Sequence, residues 1–440
     1  MPTTSAPSLR RRIAGWTLTV AAVLLAGPAA IAAFLLTAAS GASIPLAMAA
    51  GLTATALCGL ALTGVGARLA FRRRRLATLL TTGLLVGAVA LTSALTIFRP
   101  LGVRPMPLPP QATRYWKLPT GSRIAYTRTP GRGHRHAAPV VRLHGGPGTP
   151  GAGPDDLDRE LAGHGFDVYT YDQLGAGRSQ RLADPTGYTV ARQVADLEAI
   201  RRQLGAPKLI LVGSSWGATL AACYMAAHPG HVAKAVFTSP GALWAPEWEK
   251  AGEGDIWDRL TPQQRTRMDR LEASPRLIAW SVLMDIDPRA AHALVPDREI
   301  DPLFDELLST VESAATCHPD RALHEASSRS GFYANQLTSD DALNVADPRP
   351  ALRGVRVPAL VLRGECDYKR PEIAREYRDT IPGATLLQIP DAGHVIEAEQ
   401  PALYRTSVTA FLTDRPLPRV QQAPQKSGSP TSRIFRQYQK

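Results

Sequence analysis

A serine at the centre of a glycine-flanked pentapeptide is the first residue here with an evident chemical use. Residues 213–217, GSSWG, fit the pattern G-x-S-x-G, in which a sharp turn between a strand and a helix lifts a serine hydroxyl above a sheet. The apolar run Leu209–Val212 predicts a buried strand before the turn, and an alanine-rich run predicts a helix after it. This spacing makes Ser215 the candidate nucleophile and Ser214 its neighbour.

Two polar residues late in the chain could serve as partners for such a nucleophile. Asp367 follows the strand-like run 358–364, and His394 follows the run Thr385–Ile389. Side chains just past parallel strands meet at one edge of a sheet. We expect His394 to take the Ser215 proton and return it to the leaving group, while Asp367 orients His394. Glu365 remains an alternative acid, and Asp391 is expected to shape the turn before His394.

A glycine-rich segment follows another predicted strand. After Pro139–Leu143 comes HGGPG at 144–148, whose glycines leave backbone N–H groups uncovered. We expect the N–H groups of Gly146 and Trp216 to bind the developing oxyanion. A tight glycine turn without chemistry is the alternative.

The elements around these residues indicate an α/β class. Strands alternate with helices up to about Gly241 and again from about Val357, which predicts a mostly parallel sheet covered on both faces. The order Ser215…Asp367…His394 is that of an α/β hydrolase. We therefore predict an α/β-hydrolase core at 112–240 and 351–414, with a helical cap at 241–350.

The cap is predicted from pairs in which a good N-cap residue precedes proline. These pairs are Thr261-Pro262, Ser274-Pro275, Asp287-Pro288 and Asp301-Pro302. Four of the seven tryptophans also fall in the cap, where we expect most to pack the helices and one or two to line a pocket.

Four motifs together resemble one enzyme family. HGGPG at 144–148, DQLGAGRS at 172–179, GSSWG at 213–217 and the pair GECDY…DAGH are similar to the proline iminopeptidase and tripeptidyl-aminopeptidase family of α/β hydrolases. The similarity covers about Thr113–Leu412. It implies release of an N-terminal residue, often proline, from a peptide with a free N-terminus.

The resemblance also implies that acidic cap residues bind the substrate amine. Glu247, Glu249 and Glu253 are candidates by position alone. The turn departs from the usual GGSWG of the family, because Ser214 stands where glycine is common. That side chain is expected to narrow the space near the nucleophile.

The first hundred residues predict membrane helices. No charged residue occurs from Ile13 to Ala67, and three apolar spans, at about 13–39, 43–67 and 76–98, are each long enough to cross a bilayer. A cleaved signal peptide, twin-arginine in type, would explain only the first span. A proline-rich linker at 99–111 and a disordered basic tail at 415–440 are predicted to flank the hydrolase.

The arginines predict which way these helices run. Arg10–Arg12 precede the first span, and Arg68 with Arg72–Arg75 separates the second from the third. The positive-inside rule puts both clusters in the cytoplasm and everything after Phe98 outside, against only Arg99 and Arg104. We thus expect a multi-pass protein of the cell membrane that contacts lipid through these helices and has an extracytoplasmic catalytic domain.

Composition argues against several other classes. The net charge of +12 resides at the two ends, and the middle holds 34 basic against 38 acidic residues, so a nucleic-acid partner is not expected. No cysteine or histidine cluster has metal-ligand spacing, so neither metal nor cofactor is predicted. The odd number of outer cysteines, Cys223, Cys317 and Cys366, argues against a disulfide framework but leaves one pair open.

Two rival functions remain open. One is an esterase or lipase acting at the outer membrane surface, since the same triad attacks esters as readily as amides. The other is a non-catalytic binding module, against which the complete Ser/Asp/His set argues.

Overall fold

An eight-stranded sheet forms the centre of the structure, a computed structural model that describes residues 8–70, 74–103, 112–151, 153–249, 252–319 and 329–420. Its strands are β1 (Arg114–Lys117), β2 (Arg123–Thr129), β3 (Val140–Leu143), β4 (Val168–Tyr171), β5 (Leu209–Ser214), β6 (Val232–Thr238), β7 (Ala359–Gly364) and β8 (Thr385–Ile389).

The strand order explains how distant residues meet. The sheet runs β1-β2-β4-β3-β5-β6-β7-β8. The first two strands form an antiparallel hairpin, β4 pairs antiparallel with β2, and every pairing from β4 to β8 is parallel. The carboxyl ends of β3, β5, β7 and β8 therefore lie along the same edge.

Sixteen helices are described, three before the sheet and the others between or after its strands. They are α1 (Leu9–Ala39), α2 (Ile44–Ala70), α3 (Arg74–Leu95), α4 (Asp156–Gly163), α5 (Val190–Gln203), α6 (Trp216–Ala227), α7 (Ala245–Glu249), α8 (Pro262–Glu272), α9 (Pro275–Ile286), α10 (Pro288–Leu294), α11 (Asp297–Val311), α12 (Phe332–Ala342), α13 (Arg349–Leu352), α14 (Pro371–Thr380), α15 (Ile396–Glu399) and α16 (Pro401–Leu412).

Two apolar clusters hold helices on the two faces of the sheet. Leu220 and Tyr224 of α6 belong to one of them, together with the cap. Leu161 of α4 and Val408 of α16 belong to the other. Strand β5 is buried at five successive residues, as expected for a strand covered on both faces. Burial of such side chains stabilises the fold by about 1.5–3 kcal/mol each. The helices packed on the two faces therefore hold the sheet, and with it the carboxyl ends of its strands, in place.

The cap consists of helices α7–α12, between β6 and β7. Helices α8, α9 and α10 begin at the predicted prolines, and Thr261 and Asp287 cap theirs through their side chains. The fourth predicted start is wrong, because α11 begins at Asp297 and contains Pro302 in its second turn. The Asp301 side chain instead accepts hydrogen bonds from Arg181 and from the Phe332 N–H, so it ties the cap to the core.

Helices α1, α2 and α3 are long and apolar enough to span a membrane. Helices α1 and α2 approach closely through small residues. A Cβ on Gly15 would stand 2.6 Å from the Gly66 carbonyl oxygen, and the reverse substitution would be as tight. Most of the predicted linker, at 104–111, lies outside the described residues, as do Arg72, Arg73 and the tail beyond 420.

One end of this helical bundle packs against the cap. Ala38 of α1 with Ile44 and Ala47 of α2 are buried in the same apolar cluster as cap residues, and α1 contacts α9. Arg276 of α9 donates to the Ile97 carbonyl oxygen at 2.7 Å. Since α1 and α2 are joined by the short turn at this end, Arg10–Arg12 and Arg68 lie toward the opposite end of their helices.

Candidate active site

Ser215 stands at the turn between β5 and α6 in a backbone conformation that few residues adopt. Its φ of 52° and ψ of −117° place it in the strained region typical of a nucleophile elbow. The Ser215 N–H donates to the Thr238 carbonyl oxygen of β6 at 2.9 Å, which secures the turn. A Cβ on Gly213 would collide with the Gly217 carbonyl oxygen, and one on Gly217 with the Leu143 carbonyl oxygen. Both glycines of the motif are therefore required by close packing.

His394 and Asp367 form a buried pair at the same edge of the sheet. The His394 Nδ1 atom lies 2.8 Å from Asp367 Oδ1, and the two residues are 9% and 8% exposed. Burial acts to raise the pKa of Asp367, but the charge and hydrogen bond of His394 and the Lys369 N–H outweigh it and hold that pKa below its usual value. With Nδ1 donating to Asp367, Nε2 is left to accept a proton.

Glu365, the alternative acid, is engaged elsewhere. Its Oε2 atom accepts the Asp391 N–H at 3.3 Å. Asp391 has a positive φ of 54°, the left-handed conformation of a turn residue. Asp367, and not Glu365 or Asp391, is thus the carboxylate hydrogen-bonded to His394.

The loop of His394 is held by residues for which the sequence carried no signal. The Glu399 carboxylate accepts the N–H groups of Gly393 at 2.6 Å and of Cys317 at 3.0 Å. The His394 N–H donates to the Ala315 carbonyl oxygen at 2.7 Å. A segment of the cap therefore fixes the backbone at His394.

A disulfide joins the cap to the loop of the acid. Cys317 and Cys366 are bonded, with their Cα atoms 5.2 Å apart and a sequence separation of 49. Cys366 directly precedes Asp367. The sequence left open one pair among three cysteines without indicating which, and the structure leaves Cys223 as the reduced cysteine of the hydrolase region.

The HGGPG loop is braced by the turn that follows β4. The Gln173 N–H donates to His144 Nε2 at 2.8 Å, and the Gln173 side-chain amide donates to the His144 carbonyl oxygen at 2.8 Å. His144 Nδ1 in turn lies 2.9 Å from the Gly145 carbonyl oxygen. Burial lowers the pKa of His144 to about 4, so this ring is neutral near pH 7.

Gly146 and Trp216 flank the nucleophile with free backbone donors. Within the described part of the chain, neither N–H group makes a hydrogen bond. Gly146 has a φ of 109°, open to glycine alone, and its peptide bond to Pro147 is cis. The Trp216 indole donates to Gln193 at 3.0 Å, which fixes the orientation of its ring. Two unengaged donors beside a serine are the arrangement required for oxyanion binding.

Comparison with known proteins places this arrangement in a family. Residues 138–401, more than half of the chain, match the α/β hydrolase fold family. A proline iminopeptidase of Xylella fastidiosa is 30% identical over 298 residues, covering 60% of this chain and 85% of that protein. The chain belongs to the proline iminopeptidase family of α/β hydrolases.

Two further relatives have the same name. A proline iminopeptidase of Lactobacillus delbrueckii subsp. bulgaricus is 26% identical over 306 residues, covering 67% of this chain and 96% of that protein. The crystal structure of a proline iminopeptidase from Mycobacterium smegmatis aligns with 69% of this chain and 98% of its own at 23% identity, with a TM-score of 0.44.

Two cavities of this α/β hydrolase meet at Ser215 and Gly146. The small cavity, of about 360 Å³, is lined by Trp216, Thr219, Cys223 and Glu253 among others. The large cavity, of about 750 Å³, also reaches His394 and extends under the cap. A substrate whose carbonyl reached Ser215 would have room for one group on each side.

The three acidic candidates in the cap differ in position. Glu253 lines the small cavity and pairs with Lys369. Glu247 and Glu249 are exposed and line neither cavity, and Glu247 lies 3.4 Å from Arg349. Of the three, only Glu253 shares a cavity with Ser215.

A histidine pair of this hydrolase approaches a carboxylate far from the cavities. Glu198, His228 and His231 bring ligand-type atoms within 4.8 Å of one another. Glu198 already pairs with Arg201 at 2.7 Å and Arg202 at 2.8 Å. A metal ion would have to displace both guanidinium groups, so the cluster is better described as an ion-pair network.

Proposed function

We propose that this chain is a membrane-anchored serine peptidase that releases N-terminal residues, of the proline type, from peptides outside the cytoplasm. Ser215, His394 and Asp367 form its triad, and Gly146 with Trp216 forms its oxyanion hole. The observation that carries the proposal is the buried His394–Asp367 pair at 2.8 Å, beside a serine on a strained elbow.

The reaction follows from this geometry. His394 Nε2 takes the proton of the Ser215 hydroxyl as the oxygen attacks the peptide carbonyl carbon. The oxyanion is stabilised by the N–H groups of Gly146 and Trp216, at about 3 kcal/mol of barrier each. The C–N bond then breaks, His394 protonates the departing amine, and water hydrolyses the acyl-enzyme by the same steps in reverse.

The small cavity suits the N-terminal residue of the substrate. Its lining includes Ser215, Cys223, Leu343 and Glu253. A carboxylate there favours a substrate with a free ammonium group, and the Lys369 partner sets how much of its charge is available. We therefore assign amine recognition to Glu253, and not to the exposed Glu247 and Glu249.

Two observations support the outer location of the hydrolase. Arg10–Arg12 and Arg68 lie toward the end of the helical bundle away from the cap, and arginines of this kind stay in the cytoplasm. The Cys317–Cys366 disulfide is of a type that persists in oxidising compartments. Both observations support a catalytic domain outside the cytoplasm, on the opposite side of the membrane from the N-terminal arginines.

A comparison of substrates tests the activity. The purified full chain in detergent is assayed with prolyl and alanyl chromogenic amides, their N-acetyl counterparts and short acyl esters. We expect the free prolyl amide to be cleaved at least tenfold better than its N-acetyl form. Glu253→Gln should reduce that preference, and Glu249→Gln, the matched exposed control, should not. A preference for the N-acetyl amides would overturn the aminopeptidase, and cleavage of the esters without cleavage of any amide would support the esterase alternative, which the apolar large cavity favours.

A labelling experiment tests the reactivity of Ser215, and a reporter fusion tests the orientation of the chain in the membrane. A fluorophosphonate probe should label the chain and fail to label Ser215→Ala. Absence of labelling in a folded chain would establish the binding module. A periplasmic-type reporter fused after residue 110 should be active only when exported, and activity of a cytoplasmic reporter at that site would overturn the orientation.

A further inference from the structure

The large cavity is lined mainly by apolar side chains of the cap. Its walls are formed by residues of α9, α11 and α12, which include Leu277, Trp280, Leu303, Phe304, Leu307 and Phe332. Ser215 and His394 lie at its inner end. An apolar cavity of this size favours an apolar ligand group, because the binding of such a group removes apolar surface from water.

The cavity reaches the surface at one side of α9. Ile278 of α9 is 62% exposed and Trp257 is 44% exposed, yet both line the cavity. Large apolar residues at the mouth of a cavity are costly in water, because they leave apolar surface hydrated. Their position marks α9 as the side from which a ligand enters.

The same helix continues the apolar surface along one face. Val282 and Ile286 follow Ile278 at intervals of four residues and are 39% and 42% exposed. Residues spaced in this way lie on one face of a helix. The exposed stripe therefore runs from the mouth of the cavity along the outside of α9.

Helix α9 is also the part of the cap that is fixed to the helical bundle. Arg276, which is 5% exposed, donates to the Ile97 carbonyl oxygen and forms a bidentate pair with Glu299 at 3.1 Å. Glu299 in turn lies 3.4 Å from the Leu101 N–H. The exposed stripe begins at Ile278, two residues after Arg276, so once helices α1–α3 span a bilayer this end of the stripe lies near the lipid surface.

We infer that the natural substrate is an amphiphilic peptide, drawn from the membrane surface, whose apolar leaving part occupies the large cavity. The inference rests on the proposed function and names its substrate class. The N-terminal residue occupies the small cavity, its carbonyl lies at Ser215, and the chain beyond the scissile C–N bond extends past Phe304 and Ile278. Because Ile278 lies at the mouth of the cavity and two residues from Arg276, the apolar chain enters the cavity from the side of the helical bundle.

The test compares prolyl ethylamide with prolyl octylamide, using the full chain in detergent. Both release alkylamines of nearly equal basicity, so their leaving-group chemistry is the same and a rate difference reports binding of the chain. We expect kcat/KM to be at least tenfold higher for the octylamide. Equal values would overturn the inference while leaving the aminopeptidase intact.

Two variants on α9 locate the effect. Ile278→Glu puts a charge at the mouth of the cavity and should reduce the octyl-to-ethyl ratio to below threefold. Ile286→Glu makes the same change on the same face but outside the cavity lining, and it should leave the ratio in detergent unchanged. Since both side chains are exposed, we expect neither change to lower the stability of the folded state. Equal effects of the two would contradict the proposed path.

Two further experiments complete the test, one in lipid vesicles and one with covalent probes. In phosphatidylcholine vesicles that contain the chain, prolyl hexadecylamide should be cleaved. If it is not cleaved there, the membrane is not the source of the substrate.

If no prolylamide is cleaved, the proposed function fails by itself, and ethyl and octyl fluorophosphonates then probe the cavity directly. A tenfold faster reaction of Ser215 with the octyl probe, lost in Ile278→Glu, would support an apolar substrate, and equal rates would overturn it.

Discussion

Cys317, which follows α11 in the cap, is covalently joined to Cys366, the neighbour of Asp367. The bond therefore connects the part of the cap that holds the His394 loop to the loop of its acid partner. Because Glu399 and Ala315 bind the same region, cap and triad are coupled at their backbones.

Removal of this disulfide should lower both the stability of the hydrolase domain and its activity. Closing a loop of 49 residues is worth about 4 kcal/mol in the chain-entropy description. We expect Cys317→Ser with Cys366→Ser to lower the Tm by several degrees and to abolish the response of the Tm to dithiothreitol. Differential scanning fluorimetry measures both. Cys223→Ser is the control and should keep the full dithiothreitol response; if it loses that response, the pairing is wrong.

Loss of the charge on Asp367 should slow catalysis strongly. Asp367→Asn keeps the size of the side chain but lets it stabilise the wrong tautomer of His394. A decrease in kcat on the order of 10⁴-fold is expected from comparable triads. Glu365→Gln is the matched control, because Glu365 bonds to Asp391 and not to His394. A larger loss in the control than in Asp367→Asn would reverse the assignment of the acid.

The neutral His144 predicts a pH-dependent stability. Burial lowers its pKa to about 4, whereas in the unfolded chain it is near 6.5. Between these values the unfolded state binds more protons, so stability falls as the pH decreases from about 6.5 to 4, by up to about 3 kcal/mol. The Tm of His144→Gln should change less over this interval than that of the wild type.

The comparison with His144→Gln isolates this residue. Other buried acids, such as Asp172 and Glu397, have raised pKa values through burial and oppose the trend. They titrate alike in both proteins and cancel in the difference. If the Tm of the two proteins changed with pH in parallel, protonation of His144 would not destabilise the folded state, and the prediction would be wrong.

The elbow glycines should not tolerate a methyl group. Gly217→Ala would drive a Cβ into the Leu143 carbonyl oxygen, and we expect a loss of about 3 kcal/mol or more in unfolding free energy. Gly163→Ala, where a Cβ would meet no atom within 4 Å, is the control and should leave stability nearly unchanged. The yield of folded protein and its Tm distinguish the two, and a stable Gly217→Ala variant would contradict the packing.

Much of the fold could be predicted from local pattern. The run before Ser215 is a strand whose apolar residues are buried on both faces of the sheet, whereas the run Thr385–Ile389 forms the partly exposed edge strand β8. Asp367 and His394 were predictable as partners because each follows such a strand, and a parallel sheet brings those ends together. Local signals sufficed wherever one element determined the position of a residue.

Other features depend on contacts that sequence separation hides. Asp301-Pro302 has the local chemistry of a helix start, but the Asp301 carboxylate binds Arg181, which lies 120 residues earlier. Glu399 resembles any surface acid until the cap delivers the Cys317 N–H to it. In the same way, nothing local separates Glu253 from Glu247 and Glu249, since the Ser215 cavity is formed only when the cap folds back on the sheet.

The bond from Arg276 to the Ile97 carbonyl oxygen has a consequence for kinetics. With α1–α3 in a bilayer, it would keep Ser215 at a constant height above the lipid, so the proposed peptidase and a membrane-bound substrate would meet by diffusion in two dimensions. Turnover would then depend on the number of substrate molecules per unit area of membrane and not on their concentration in the surrounding volume. Dilution with empty lipid would slow the reaction, while dilution with buffer would not.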